Sequence, residues 1–297
     1  MVTTHNMRAH WDFGNLDATE AVFKQLIEVS ASPIETMLFE TQLARVHGLR
    51  GHFEAAHALL DAIETELGKI IGATNDVAEL QTRYFLERGR ALRSAKQPDA
   101  ACPLFKQAVD VAVASHMDEL AIDAIHMMAL VVSPSEGIAW TERGIALAQR
   151  SDDANAQNWD APLANNLGWA YFDAREYAKA LATFETALVA RERIGAPEQI
   201  LIAKWAIARV YRALERYDDA IGLLMSLSPQ DGYTHEELGE NLLAQHKPEI
   251  AKTHFAQAYE ALQHDPSVDA PRVAHLLAHS KELIATQDTL VEEFRAV

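Results

Sequence analysis

The sequence predicts an all-α protein, a right-handed α-solenoid of antiparallel helix pairs. Six stretches share one register of small and large apolar residues at helical spacing. β-branched residues follow that spacing too, and the segments between breakers run roughly 12 to 20 residues, which leaves no credible strand. The breaks are too short for anything but adjacent antiparallel helices, about 13 to 15 in all.

The elements follow in order. Asp17 is placed to cap a first helix running to about Val29, and Ser32-Pro33 opens a second that ends near Gly48 to Gly51. Later breaks fall at Ala73-Thr74-Asn75-Asp76, Lys96-Gln97-Pro98-Asp99, Ser133-Pro134-Ser135 and Ala196-Pro197. Pro98, Pro134, Pro197 and Pro248 suit the first turn of a helix, where a missing amide hydrogen costs little. The stretch from Ser226 to Gly232 follows a short helix and is expected to bend the array. A last helix pair, from Pro271 to about Phe294, is expected to shield one open end and Leu16 to Val29 the other. This gives an N-terminal capping region over 1–34, six repeats over 35–263 and C-terminal capping helices over 264–297.

The best copy of the register runs from Leu167-Gly168 through Tyr171, Tyr177, Ala180 and Phe184 to Ala187. Small residues stand where two helices cross and large ones fill the gaps around the crossing. The pattern resembles the tetratricopeptide repeat, with a Leu-Gly and an aromatic on the first helix, then Ala, Phe and Ala on the second. The stretch from Asn165 to Leu227 is most similar to the longer-helix variety of kinesin-light-chain-like and bacterial signalling arrays. The positions matching the first-helix glycine are Ala44, Gly89, Ile125, Gly168, Ala208 and Gly239, so the steps are 45, 36, 43, 40 and 31 residues. The usual repeat is about 34, so several second helices are expected to be longer by a turn or more.

Composition narrows the function classes. A net charge of -17 opposes attraction to phosphate backbones or anionic lipid, so neither nucleic acid nor a membrane surface is an expected partner. Residues 1–15 contain no apolar signal core, no later stretch approaches about 18 uninterrupted apolar residues, and there is no Asn-x-Ser/Thr acceptor. The single Cys102 excludes an intrachain disulfide, and a cytoplasmic location is expected. Six repeats packing on their neighbours form one lengthwise core, so the 297 residues need not divide into two domains.

No motif argues for catalysis, metal or cofactor. His235-Glu236-Glu237-Leu238-Gly239 has Gly where a zincin helix needs its second His. His275 and His279 stand one helical turn apart without a third ligand. There is no nucleophile elbow and no phosphate-cradling glycine loop. Cys102, beside the crossing residue Ala101, is expected to face the core. An enzyme would need a site concealed among residues such as Asp123, His126 and Asp173, and the chain is read as a non-enzyme.

The resemblance implies that first helices line a concave face. The positions three and two before the glycine equivalent, and one, four and five after it, are then exposed. They give Thr41, Gln42 and Arg45; Leu86, Glu87, Arg90 and Arg93; Ile122, Asp123 and His126; Asn165, Asn166, Trp169, Phe172 and Asp173; Trp205, Arg209 and Arg212; and Glu236, Glu237 and Glu240. From these, Arg45, Arg90, Arg93, His126, Asn165, Asn166, Trp169, Trp205, Arg209 and Arg212 are the expected partner-binding residues. Guanidinium forks take carboxylates bidentately, Trp rings anchor, and Asn amides hold extended backbone. The competing reading is that the arginines neutralise neighbouring carboxylates and the Trp rings pack between repeats. Chaperone-binding members use a two-carboxylate clamp with Lys and Asn; Asn165 and Asn166 echo it, but the Lys residues are missing. The expected function is a scaffold binding an acidic or C-terminal peptide segment in the groove. The alternative is a bacterial signalling regulator that senses a peptide or small ligand and acts through a partner protein. The oligomeric state stays open.

Overall fold

The computed structural model describes residues 4–72 and 74–280, and among them every regular element is helical. A 3-10 helix, Thr4–His10, is followed by α1 (Leu16–Glu28), α2 (Pro33–Leu49), α3 (Phe53–Leu67), α4 (Asn75–Ser94), α5 (Pro98–Ala114), α6 (Asp118–Ala129) and α7 (Pro134–Arg150). Then come α8 (Ala154–Gln157), α9 (Asp160–Asp173), α10 (Tyr177–Ile194), α11 (Pro197–Ala213), α12 (Tyr217–Met225), α13 (Gly232–Ala244) and α14 (Pro248–Leu262). Residues 270–280 are also helical. The remainder of the expected last helix pair lies outside the described residues.

Local chemistry sets the boundaries. Pro98, Pro134, Pro197 and Pro248 all stand in the first turn of their helices, as expected. Ser32 caps α2, and Ser133 with Glu136 forms a reciprocal capping box on α7. The cap of α1 differs from expectation. Asn15 accepts the amide of Ala18 at 3.0 Å, while Asp17 sits in the first turn and pairs with Arg50. A carboxylate is favoured anywhere in that turn by the helix dipole, so composition alone does not mark the cap.

The repeat register reappears in the backbone. Gly51, Lys96, Arg175, Glu215 and His246 all have a left-handed φ, between 59° and 77°. Each stands seven residues after its glycine equivalent (Ala44, Gly89, Gly168, Ala208, Gly239), in the turn between the paired helices. The next amide closes back five residues, as in Gln97 to the Leu92 carbonyl at 2.9 Å and Glu176 to the Tyr171 carbonyl at 2.8 Å. Four of the five residues have side chains that oppose this conformation, so geometry rather than composition repeats. The third repeat is the exception: its corresponding turn ends in the Ser133 cap.

The chain divides into two compact units, Met1–Leu163 and Ala164–Val297. In the first unit α2 packs on α3 and α4, α4 on α5, α5 on α6, and α6 on α7 around Phe39, Leu80, Phe105, Ile122 and Ile125. Cys102 lies partly buried against this core. In the second, α10 packs on α11, α11 on α12, α12 on α13, and α13 on α14, around Phe184, Leu224, Leu238 and Phe255. The crossings need small residues: a Cβ added at Gly89 would lie 2.5 Å from the Phe105 ring, and one at Gly168 would lie 2.6 Å from the Phe184 ring.

The long steps are only partly the work of second helices. The 45-residue step contains a first helix, α4, of 20 residues and the break before it, and the 43-residue step contains the added α8. The 40-residue step fits expectation, with 18 residues in α10. The 31-residue step is short because α12 has only 9 residues.

Candidate functional site

The position directly after each glycine equivalent is occupied by Arg45, Arg90, His126, Trp169, Arg209 and Glu240. In the first unit Arg90 is closed by neighbouring carboxylates. Arg90 donates from one nitrogen to both Asp123 oxygens, at 2.5 and 2.6 Å, and from another to Glu87 at 2.5 Å. Burial works to lower the Arg90 pKa, but Asp123 and Glu87 together raise it above the usual arginine value. Burial likewise works to raise Asp123, yet Arg90 and Arg45 hold it below the ordinary aspartate value. His126 lies beside the Trp159 ring, 5.8 Å between centroids, and burial pushes its pKa down. Arg93 is exposed. Asp123 is thus paired with Arg90.

Arg45 is different. Its guanidinium carbon lies 5.0 Å from the Trp11 ring and 5.5 Å from the Phe13 ring, and the Glu87 carboxylate is 3.9 Å away. The Trp11 indole donates to Gln42 at 3.0 Å. The stretch before α1 therefore lies on the first helix of the first repeat. Reading the repeats missed Trp11 and Phe13; two large aromatics outside any helical period were the available signal.

In the second unit, aromatics replace carboxylates. The guanidinium carbon of Arg209 lies 5.1 Å from Trp205, 5.5 Å from Trp169 and 5.7 Å from Phe172. Its Nε has no hydrogen-bond partner, the Glu237 carboxylate being 3.7 Å away. Burial pushes the Arg209 pKa down. Arg212 takes the Glu237 carboxylate at 2.5 and 3.1 Å, and Asn241 donates to the same side chain at 3.1 Å. Burial nonetheless raises the Glu237 pKa against the pull of Arg212. Trp205 donates to the Tyr233 carbonyl at 3.1 Å, and Trp169 sits 6.0 Å from Trp205, centroid to centroid. The Asn165 amide reaches Asn166 only at 3.5 Å, and its carbonyl oxygen has no partner.

Several positions expected to be exposed are buried: Thr41, Gln42, Leu86, Glu87, Ile122 and Glu237 are each at most 3% accessible. Asp123, Asn165, Asn166, Trp205 and Glu236, also before their glycine equivalents, stay partly open. Within the second unit Asn165, Asn166 and Trp169 lie on α9, and Trp205, Arg209 and Arg212 on α11, two successive first helices. Arg272, which holds Glu236 at 2.5 and 2.7 Å and lies 5.2 Å over Tyr233, adds to this face and was not anticipated, since it lies beyond the last repeat.

Among the described residues no group of three or more His, Cys, Asp or Glu could hold a metal ion. His275 instead meets Glu240 at 2.6 Å, and His235 meets His254 at 3.1 Å. No helix among those residues is long and apolar enough to cross a membrane.

Residues 152–227 match the family model described as tetratricopeptide repeat. That span contains the fourth and fifth repeats, where the sequence register is sharpest. No curated protein matches the sequence. The fold is similar to that of the apo form of RapI, with 12% identity and a TM-score of 0.71 over 97% of this chain and 86% of that one. It is also similar to BtubC (BKLC) from P. vanneervenii, with 17% identity and a TM-score of 0.56 over 86% and 96%. A further likeness is to the apo form of the quorum sensor NprR from B. thuringiensis, with 14% identity and a TM-score of 0.53 over 95% and 85%. At these identities the likeness speaks for the fold, an all-α solenoid of tetratricopeptide-type helix pairs.

Proposed function

We propose that this protein is an interaction scaffold whose second unit binds an extended partner segment carrying a carboxylate, either acidic or C-terminal. Arg209 carries the reading. It is a guanidinium packed among three aromatic rings, with an Nε lacking a hydrogen-bond partner and no carboxylate closer than 3.7 Å. A buried donor left unmade costs roughly 1 to 3 kcal/mol, so a ligand that satisfies this group regains more than one that meets solvated arginine. Trp169 and Trp205 supply rigid apolar walls, and the free Asn165 carbonyl oxygen can accept a backbone amide. A peptide array presenting each sequence with a free and with an amidated C-terminus tests this. Binding should favour free carboxylates, and Arg209→Ala should weaken a selected peptide at least about tenfold while leaving the helical circular dichroism in place. Normal binding by Arg209→Ala, with loss on changes to the second helices, would move the interaction to the outer face.

A sensing role is the second reading. NprR is described as a quorum sensor, and its fold is shared over most of this chain. In that case a ligand would alter the packing of the repeats, and with it the affinity for an output protein.

A further inference from the structure

The first unit contains a cavity of about 140 Å³ between the stretch before α1 and the first helices α2, α4 and α6. Three arginines face it, and their partners differ. Arg83 is held by Glu79 at 2.8 Å, and Arg8 approaches Glu119 at 4.0 Å. Asp123, also in the lining, is matched by Arg90. Arg45 alone of the three rests on aromatic rings, with Glu87 no closer than 3.9 Å, and burial lowers its pKa. Trp11 and Trp159 form flat walls, and the Trp11 indole is fixed by Gln42.

We propose that this cavity binds a small free organic carboxylate, its two oxygens on the Arg45 guanidinium and its apolar body between Trp11 and Trp159. The planar fork of arginine matches a carboxylate bidentately, and a charge withdrawn from water is stabilised most by a counter-charge it can hydrogen-bond. Volume sets the size class. About 140 Å³ is close to the roughly 150 Å³ of a cavity that admits benzene, so a single ring bearing one carboxylate fits. The covering segment is part of the site, because Trp11 and Phe13 are what hold Arg45 in place. A bound acid would therefore tie that segment to the first unit. The site is separate from the Arg209 face and does not depend on it.

Isothermal titration of the full chain with benzoate, and with benzamide as the uncharged isostere, tests the proposal. Benzoate should bind saturably and benzamide at least tenfold more weakly. Arg45→Gln should reduce benzoate binding at least tenfold. Should Arg45→Gln fold poorly, Arg45→Lys, which keeps the charge and loses the fork, should still weaken benzoate severalfold. Equal binding of benzoate and benzamide, absence of benzoate binding, or Arg45 variants that bind normally would each overturn the proposal. So would Arg45-dependent binding of a short peptide with a free C-terminus where benzoate does not bind, since the site would then belong to a partner's chain end.

Discussion

Arg90 and Arg209 occupy the same place in their repeats, one residue past the glycine equivalent, yet they do different work. Arg90 is closed by Asp123 and Glu87, whereas Arg209 lies among Trp169, Phe172 and Trp205 with its Nε unpartnered. The difference comes from what the neighbouring helices offer, since Asp123 belongs to α6 and Trp169 to α9. An arginine in a repeat array is thus structural or available according to its neighbour. Of the two readings of the sequence, neutralisation of neighbouring carboxylates describes Arg90, while ligand binding at Arg209 remains the proposal made above.

The comparison is most easily broken by removing one partner from each cluster. Asp123→Ala leaves the buried Arg90 with Glu87 alone and should cost about 3 to 5 kcal/mol in a urea melt, the range for breaking a buried ion pair. Arg209→Ala removes only ring contacts and a distant carboxylate, so its melt should stay within about 1 kcal/mol of the parent. A small loss for Asp123→Ala, or a large one for Arg209→Ala, would reverse the assignment of structural and available arginines.

Crossing positions should respond next. Gly168→Ala drives a Cβ into the Phe184 ring, and Ala180→Leu overfills the same helix pair, where Ala180 is fully buried. Each should lower stability by about 1 to 3 kcal/mol in thermal or urea melts. An unchanged melt would mean that the pair yields without strain and that the register at its best copy is loose.

The turns sharpen the comparison between regular and degenerate repeats. Arg175 and Glu215 hold left-handed φ angles of 60° and 59°. Arg175→Gly and Glu215→Gly should each stabilise by up to about 1 kcal/mol, because glycine enters that region without steric penalty. Val132, which stands at the corresponding place in the third repeat, has no such φ, and Val132→Gly should not stabilise.

The smallest effect is a surface one. Lys24 first, then Arg50, hold the Glu20 carboxyl down to about 2 from its ordinary 4.5. A depressed folded-state value contributes stability above the unfolded pKa that is lost as pH falls from about 4.5 through about 2. Glu20→Gln should flatten that part of an acid titration of stability and leave neutral-pH binding unchanged.

Much of this architecture is legible in the chain. Gly168, Ala180 and Phe184 identify a helix crossing because only small residues admit the phenyl ring, and prolines mark helix starts because they lack the amide that a first turn does not use. The candidate residues Asn165, Trp169, Trp205 and Arg209 could be chosen by register alone, since a helix repeats its faces. What register could not supply was the third dimension of each side chain. Burial of Thr41, Gln42 and Glu237, the closing of Arg90 by Asp123 and the placing of Trp11 over Arg45 all depend on residues roughly 25 to 35 positions apart being brought within a few ångströms. Sequence by itself determined which residues form helices and which of them share a helix face. Tertiary structure decided which charges meet, because the strength of an ion pair depends on a separation and a degree of burial that no single helix sets.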